Sequence, residues 1–272
     1  MRFIAILCAL VLSTTVSVAD SFTYSNNSNI TVHLGEKVSS QERANILEGI
    51  RRVETYFLQE TGDRFEMDVH VVAYYDDRFM RKLIPSKYRQ RDCGGGFSSY
   101  DEQSAKIFAV VCLDSWPFDN ARESGKLDER QMELTIHELV HVMQKQWMRD
   151  QWFENSEPHW IREADANYIG HTLRVDPNRS RESVLARMAR NSDPSISLSK
   201  IRSKQSFAKY RPHSYANTAQ ATLWRIENFG IKAIKSYWVA RGNGASYKTA
   251  FQQAYGMSLN EFYEQFEYMP QE

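Results

Sequence analysis

Glu129 to Trp147 reads ERQMELTIHELVHVMQKQW, and its periodicity predicts one long helix. Met132, Ile136, Val140, Met143 and Trp147 recur at helical spacing and form an apolar stripe. His137 and His141 lie along one edge of that stripe, four residues apart, so both rings project from one helix face toward a common point. Glu138 is carried beside that point. This is the spacing that lets two imidazoles share one metal ion. A catalytic zinc needs three protein ligands and one open position for a water, with a carboxylate to take the water's proton. The helix offers two ligands and a base, and the third ligand must come from elsewhere in the chain.

Within the segment His159 to Gly170, HWIREADANYIG, a second helix is predicted, with Pro158 suited to its entry. Glu163 stands 22 positions after His141, far enough for the chain to turn through the polar stretch 150–158 and come back. Trp160, Glu163 and Asn167 share one face of this helix, so Glu163 is a candidate third ligand. Asp165 is the alternative. It lies about 200° around the helix from Glu163, so the two cannot face one metal together.

Trp160-Ile161-Arg162-Glu163-Ala164-Asp165-Ala166-Asn167-Tyr168 resembles the Trp-Leu-x-Glu-Gly-x-Ala-x-Tyr segment of the gluzincin metallopeptidases. That group includes the thermolysin-like and aminopeptidase-like enzymes, in which this Glu is the third zinc ligand. The resemblance implies a zincin-like α+β fold, with a small mixed sheet, an active-site helix and a helical C-terminal half. It implies Zn2+ held by His137, His141 and Glu163, with Glu138 as base. The chain departs from the pattern at Ala164, where the family has Gly, and at Asn167, where thermolysin-like members have an Asp that orients a zinc histidine. Asp165 would be the ligand in an aspzincin-like arrangement. A metzincin arrangement is excluded, because Gln144 and Trp147 occupy the positions of its Gly and third His.

Hydrolysis also needs a donor for the developing oxyanion. The segment Tyr210 to Trp224, YRPHSYANTAQATLW, offers Tyr215 and His213 near a helix start. In aminopeptidase-like gluzincins the donor is a Tyr opening a small-residue helix, which Tyr215 with Ala216, Ala219 and Ala221 resembles. In thermolysin-like members it is a His, the part open to His213. His33, His70, His159 and His171 read as core or surface histidines: two are in strand-like runs, one precedes the Glu163 helix and one lies late on it.

The first residues, MRFIAILCALVLSTTVSVAD, combine Arg2, an apolar run from Phe3 to Leu12 and small residues before position 20. They read as a signal peptide over 1–19. The run is too short for a membrane anchor. The expected localisation is therefore secreted or periplasmic. Its removal takes one base and no acid, so 34 bases against 34 acids become 33 against 34. That balance gives no reason to expect a nucleic-acid partner. In an oxidising compartment Cys93 and Cys112 are expected to pair. Asn26, Asn29 and Asn178 begin glycosylation sequons, which matter only in a eukaryotic secretory host.

With 42% hydrophobic and 25% charged residues the chain is long enough for one sizeable core, expected over 20–272, with 20–173 carrying the sheet and zinc helices. Ile30 to Leu34, Phe65 to Tyr75 and Lys106 to Leu113 read as strands, and Ser39 to Thr61 as an amphipathic helix. Gly94-Gly95-Gly96 reads as a loop or tight turn. Over 174–272, helices are expected at Asn217 to Phe229, Ile231 to Arg241, Tyr247 to Tyr255 and Leu259 to Phe266, separated by glycines.

The function these readings imply is zinc-dependent hydrolysis of a peptide or protein substrate. Internal cleavage is expected, because the chain has no Gly-x-Met-Glu-Asn segment of the kind with which aminopeptidase-like members capture a free amino group. A zincin-fold binding or inhibitory protein without turnover is one alternative, and a hydrolase of non-peptide amides is another. The stretch 174–211 holds ten Lys or Arg against three Asp or Glu, a solvated basic face or a rim that favours acidic substrates.

Overall fold

The computed structural model describes residues 20–24, 29–75, 82–84, 86, 95–114, 123, 125–149, 158–174, 186 and 188–267. The architecture is α+β, a five-stranded mixed sheet followed by a helical C-terminal half. The first part contains β1 (Asp20–Thr23), β2 (Ile30–Leu34), α1 (Ser40–Thr61), β3 (Asp68–Tyr74), β4 (Gly96–Asp101) and β5 (Lys106–Cys112). Two helices follow, α2 (Leu127–Trp147) and α3 (His159–Leu173). The remainder holds a 3₁₀ turn at Leu198–Lys200, then α4 (Lys204–Lys209), α5 (His213–Phe229), α6 (Ile231–Gly242), α7 (Tyr247–Tyr255) and α8 (Leu259–Glu267).

The strand order is β1-β2-β3-β5-β4. β2, β3 and β5 run parallel, while the edge strands β1 and β4 are antiparallel to their neighbours. Parallel strands need a crossover, and α1 supplies it between β2 and β3. Ser39 caps α1, its side chain accepting from the Glu42 amide while the Glu42 carboxylate accepts from the Ser39 amide. Gly62 ends the helix at φ 75°, a conformation that favours glycine. One sheet face, with Val32, Val71, Ala109 and Val111, packs into the main core with the helices. The opposite face buries Val72, Phe108 and Val110 with Phe97 and Ile84. Burial on both faces explains why β5 reads as the nearly unbroken apolar run KIFAVVC.

α2 is enclosed by α1, α3, α6, β4 and β5. Two glycines set how closely its neighbours approach. A Cβ at Gly49 of α1 would lie 3.2 Å from the Met132 carbonyl oxygen, and one at Gly170 of α3 would lie 3.2 Å from the Glu133 carbonyl oxygen and 3.6 Å from His137 Cβ. α1 and α3 therefore clamp α2 backbone to backbone, and the histidine-bearing face is fixed in depth and rotation.

The predicted stripe Met132, Ile136, Val140, Met143 and Trp147 is buried, as are Ile46, Ile50, Val53 and Phe57 of α1. Five elements differ from expectation. Gly96 opens an edge strand where a turn was expected, and β1 and α4 were not foreseen. The strand expected from Phe65 starts at Asp68, because the preceding residues carry Phe65 into the core beside Phe57. α5 begins at His213, four residues earlier than the alanine-rich run implied. Residues 1–19, Asn26, Cys93, Gly94 and Asn178 lie outside the described residues. Cys112 is buried, its Sγ 3.6 Å from the Tyr74 hydroxyl oxygen. Among the described residues no helix is long and apolar enough to cross a membrane.

Candidate metal centre

α2 and α3 pack side by side and bring His137, His141 and Glu163 together. The two Nε2 atoms are 3.2 Å apart, with the rings at 88°. Glu163 Oε2 lies 3.5 Å from His137 Nε2 and 3.8 Å from His141 Nε2. Metal–ligand bonds of about 2.0–2.1 Å in tetrahedral geometry put neighbouring ligand atoms about 3.4 Å apart. The three atoms therefore bracket the edge lengths of a small tetrahedral site, and the donor set of two imidazoles and one carboxylate fits a divalent ion such as zinc. Burial alone would raise the Glu163 carboxyl. The neighbouring His141 and His137 instead hold it well below the usual range, so it is anionic as a ligand must be.

Glu138 is 3% exposed, and its Oε2 has no hydrogen-bond partner among the described residues. Burial pushes its carboxyl up, against the charges of His137 and His141. A buried carboxylate with one idle oxygen beside a metal-ligand cluster suits a general base. The start of β4 covers it. A Cβ at Gly96 would meet Glu138 Oε1 and the Val110 carbonyl. Further along, Lys145 of α2 donates to Ser98 Oγ at 2.5 Å, tying the edge strand to the same helix.

The alternative ligand, Asp165, points elsewhere. It is 1% exposed and accepts from Arg225 Nη2 at 2.7 Å, Trp238 Nε1 at 3.1 Å and Thr222 Oγ1 at 3.2 Å. Gln144 is also buried. Its Nε2 donates to the Arg162 carbonyl at 3.1 Å and to Asp165 Oδ2 at 3.4 Å, while its Oε1 lies 2.8 Å from His141 Nδ1. The position where thermolysin-like members carry an Asp holds Asn167, whose buried Nδ2 has no partner among the described residues.

Tyr215 sits in the first turn of α5, edge-on to the buried Phe207 at 4.9 Å and under the Arg211 guanidinium at 5.3 Å. Burial, with the negative charge of Glu163 adding to it, pushes its hydroxyl up to about 12. It stays protonated across the neutral range. His213 is turned another way, its Nδ1 2.9 Å from the Asn191 carbonyl oxygen.

His159 approaches the site more closely than the sequence implied. Its Nε2 is 3.8 Å from Glu163 Oε1, its Nδ1 accepts from Arg162 Nη2 at 2.7 Å, and its ring meets Phe207 edge-on at 5.0 Å. The sequence reading set His159 before the helix, whereas it is the first residue of α3 and so stands one turn from Glu163. Burial lowers it to about 4, so it is neutral. His33 and His70 pair across β2 and β3, with His33 Nε2 2.8 Å from His70 Nδ1. His171 lies 3.3 Å from Glu133, which Arg130 and Arg174 also hold. Gln144, Gly96 and His159 are the site neighbours that sequence reasoning passed over. No protein-family model matches the chain, and no curated protein matches it.

Proposed function

We propose that the protein is a zinc-dependent metallopeptidase of the gluzincin type, exported after removal of residues 1–19, that cuts peptide bonds internally. The observation that carries this reading is the convergence of His137, His141 and Glu163 next to a buried Glu138 whose Oε2 has no partner among the described residues. A zinc ion held by those three residues would polarise a substrate carbonyl and acidify a water. Glu138 would accept a proton from the attacking water and pass it to the leaving amine, a role its burial-raised carboxyl suits. The Tyr215 hydroxyl donates to the oxyanion as charge develops. β4, antiparallel at the sheet edge and directly over Glu138, supports an extended peptide as the substrate.

Glu138 is dispensable for holding a metal, so its presence favours turnover over a binding or inhibitory role. Digestion of a peptide library with free and acetylated N-termini tests the reading. The parent protein is expected to cut both sets internally, and Glu138→Gln to lower turnover by about 10²- to 10⁴-fold with metal content unchanged. Cleavage confined to free termini would replace internal cutting with aminopeptidase action. Metal-loaded protein that cuts neither set would move the assignment to a non-peptide amide or to binding.

A further inference from the structure

Gln144 and Asp165 form a hydrogen-bonded line that ends on His141, and both are buried. The orientation of each group follows from the one behind it. Asp165 is ion-paired to the buried Arg225 and also accepts from Trp238 and Thr222, so its carboxylate is a fixed anion that can only accept. The Arg162 backbone oxygen can likewise only accept. Gln144 faces both with the same end of its amide, and that end must be the NH2 group, at 3.1 and 3.4 Å. The other end, Oε1, is an acceptor 2.8 Å from His141 Nδ1. In the neutral ring the proton must then sit on Nδ1, which leaves Nε2 its lone pair, directed toward His137 and Glu163.

We propose that Gln144, oriented by the Asp165–Arg225 pair, is the positioning residue that holds His141 as the Nδ1–H tautomer and so presents Nε2 as a metal ligand. Asp165 thus serves the site from the face of α3 turned away from Glu163. The device rests on the metal-site reading for its purpose, but the tautomer itself does not depend on any metal. A ligand histidine whose remaining ring nitrogen donates to a fixed acceptor is a better-aimed and more basic ligand. An amide acceptor three residues on, within the same helix, keeps the arrangement rigid as α2 and α3 are clamped together.

The test uses nitrogen-edited NMR of the metal-free full-length mature protein at about pH 8, where histidines of ordinary pKa are neutral. His141 is expected to carry its proton on Nδ1, and a wild-type His141 protonated on Nε2 would overturn the proposal without any variant. Gln144→Met keeps volume and apolar packing while removing the acceptor. It is expected to weaken zinc binding, measured by chelator competition, by about 10- to 100-fold. Gln144→Glu retains an oxygen opposite Nδ1 and is expected to bind zinc more tightly than the Met variant. Parent-like zinc affinity in Gln144→Met would overturn the proposal. Absence of zinc binding by the parent protein would instead remove the metal reading, while the tautomer result still decides whether Gln144 fixes His141.

Discussion

Gly96 of the edge strand lies directly over Glu138: a Cβ built at Gly96 would stand 2.9 Å from Glu138 Oε1 and 2.8 Å from the Val110 carbonyl oxygen. The second contact is with backbone, which cannot swing aside. Gly96→Ala must therefore shift β4 or displace the base. We expect a loss of about 1–3 kcal/mol in chemical denaturation, the usual cost of an overpacked position, together with a fall in turnover and unchanged metal content. Parent-level turnover in Gly96→Ala would show that β4 does not hold Glu138 in its working position.

Tyr215 and His213 are both open as oxyanion donors from sequence, and the proposed function gives the role to Tyr215. The Tyr215 hydroxyl senses the charges of Glu163 and Glu138, whereas His213 Nδ1 engages Asn191. Tyr215→Phe is expected to cost about 2.7–4 kcal/mol in kcat with little change in KM, because the contact matures only in the transition state. His213→Ala should stay within a few-fold of the parent. Steady-state kinetics on one peptide decides the matter: a silent Tyr215→Phe beside a crippled His213→Ala would reverse the assignment.

The buried His33–His70 pair predicts how stability responds to acid. Burial, reinforced by His70, lowers His33 to about 4 from its ordinary value of 6.5, and burial lowers His70 as well. The unfolded chain takes up protons as pH falls through 6.5, while folded His33 resists until about 4. Stability from this source is intact above pH 6.5 and declines steadily down to about 4. Urea midpoints measured across that window should fall for the parent, and His33→Gln should flatten the fall. An identical slope in both proteins would remove the pair from the account.

Much of the candidate site was legible because it is local. The stripe from Met132 to Trp147 fixes the rotation of α2, and rotation alone puts His137 and His141 on one side. Glu163 was reachable because the run from Trp160 to Tyr168 resembles the gluzincin segment that carries a ligand Glu. What the sequence did not reveal depends on other elements packing nearby. Nothing in Gly94-Gly95-Gly96 distinguishes a turn from a strand that must pass close over a carboxylate. The choice between Glu163 and Asp165 was settled in space by Arg225, Trp238 and Thr222, which lie 57 or more residues further along the chain. β1 and α4 are short, at 4 and 6 residues, and carry too few apolar positions for a period to register.

Zinc stoichiometry of the purified mature chain, measured beside Glu163→Ala, tests the central claim most directly. The geometry of His137, His141 and Glu163 predicts a single tightly held zinc in the parent and loss of it when the Glu163 carboxylate is removed. A Glu163→Ala protein that keeps its zinc while Asp165→Ala loses it would contradict the account, moving the third ligand to the other face of α3.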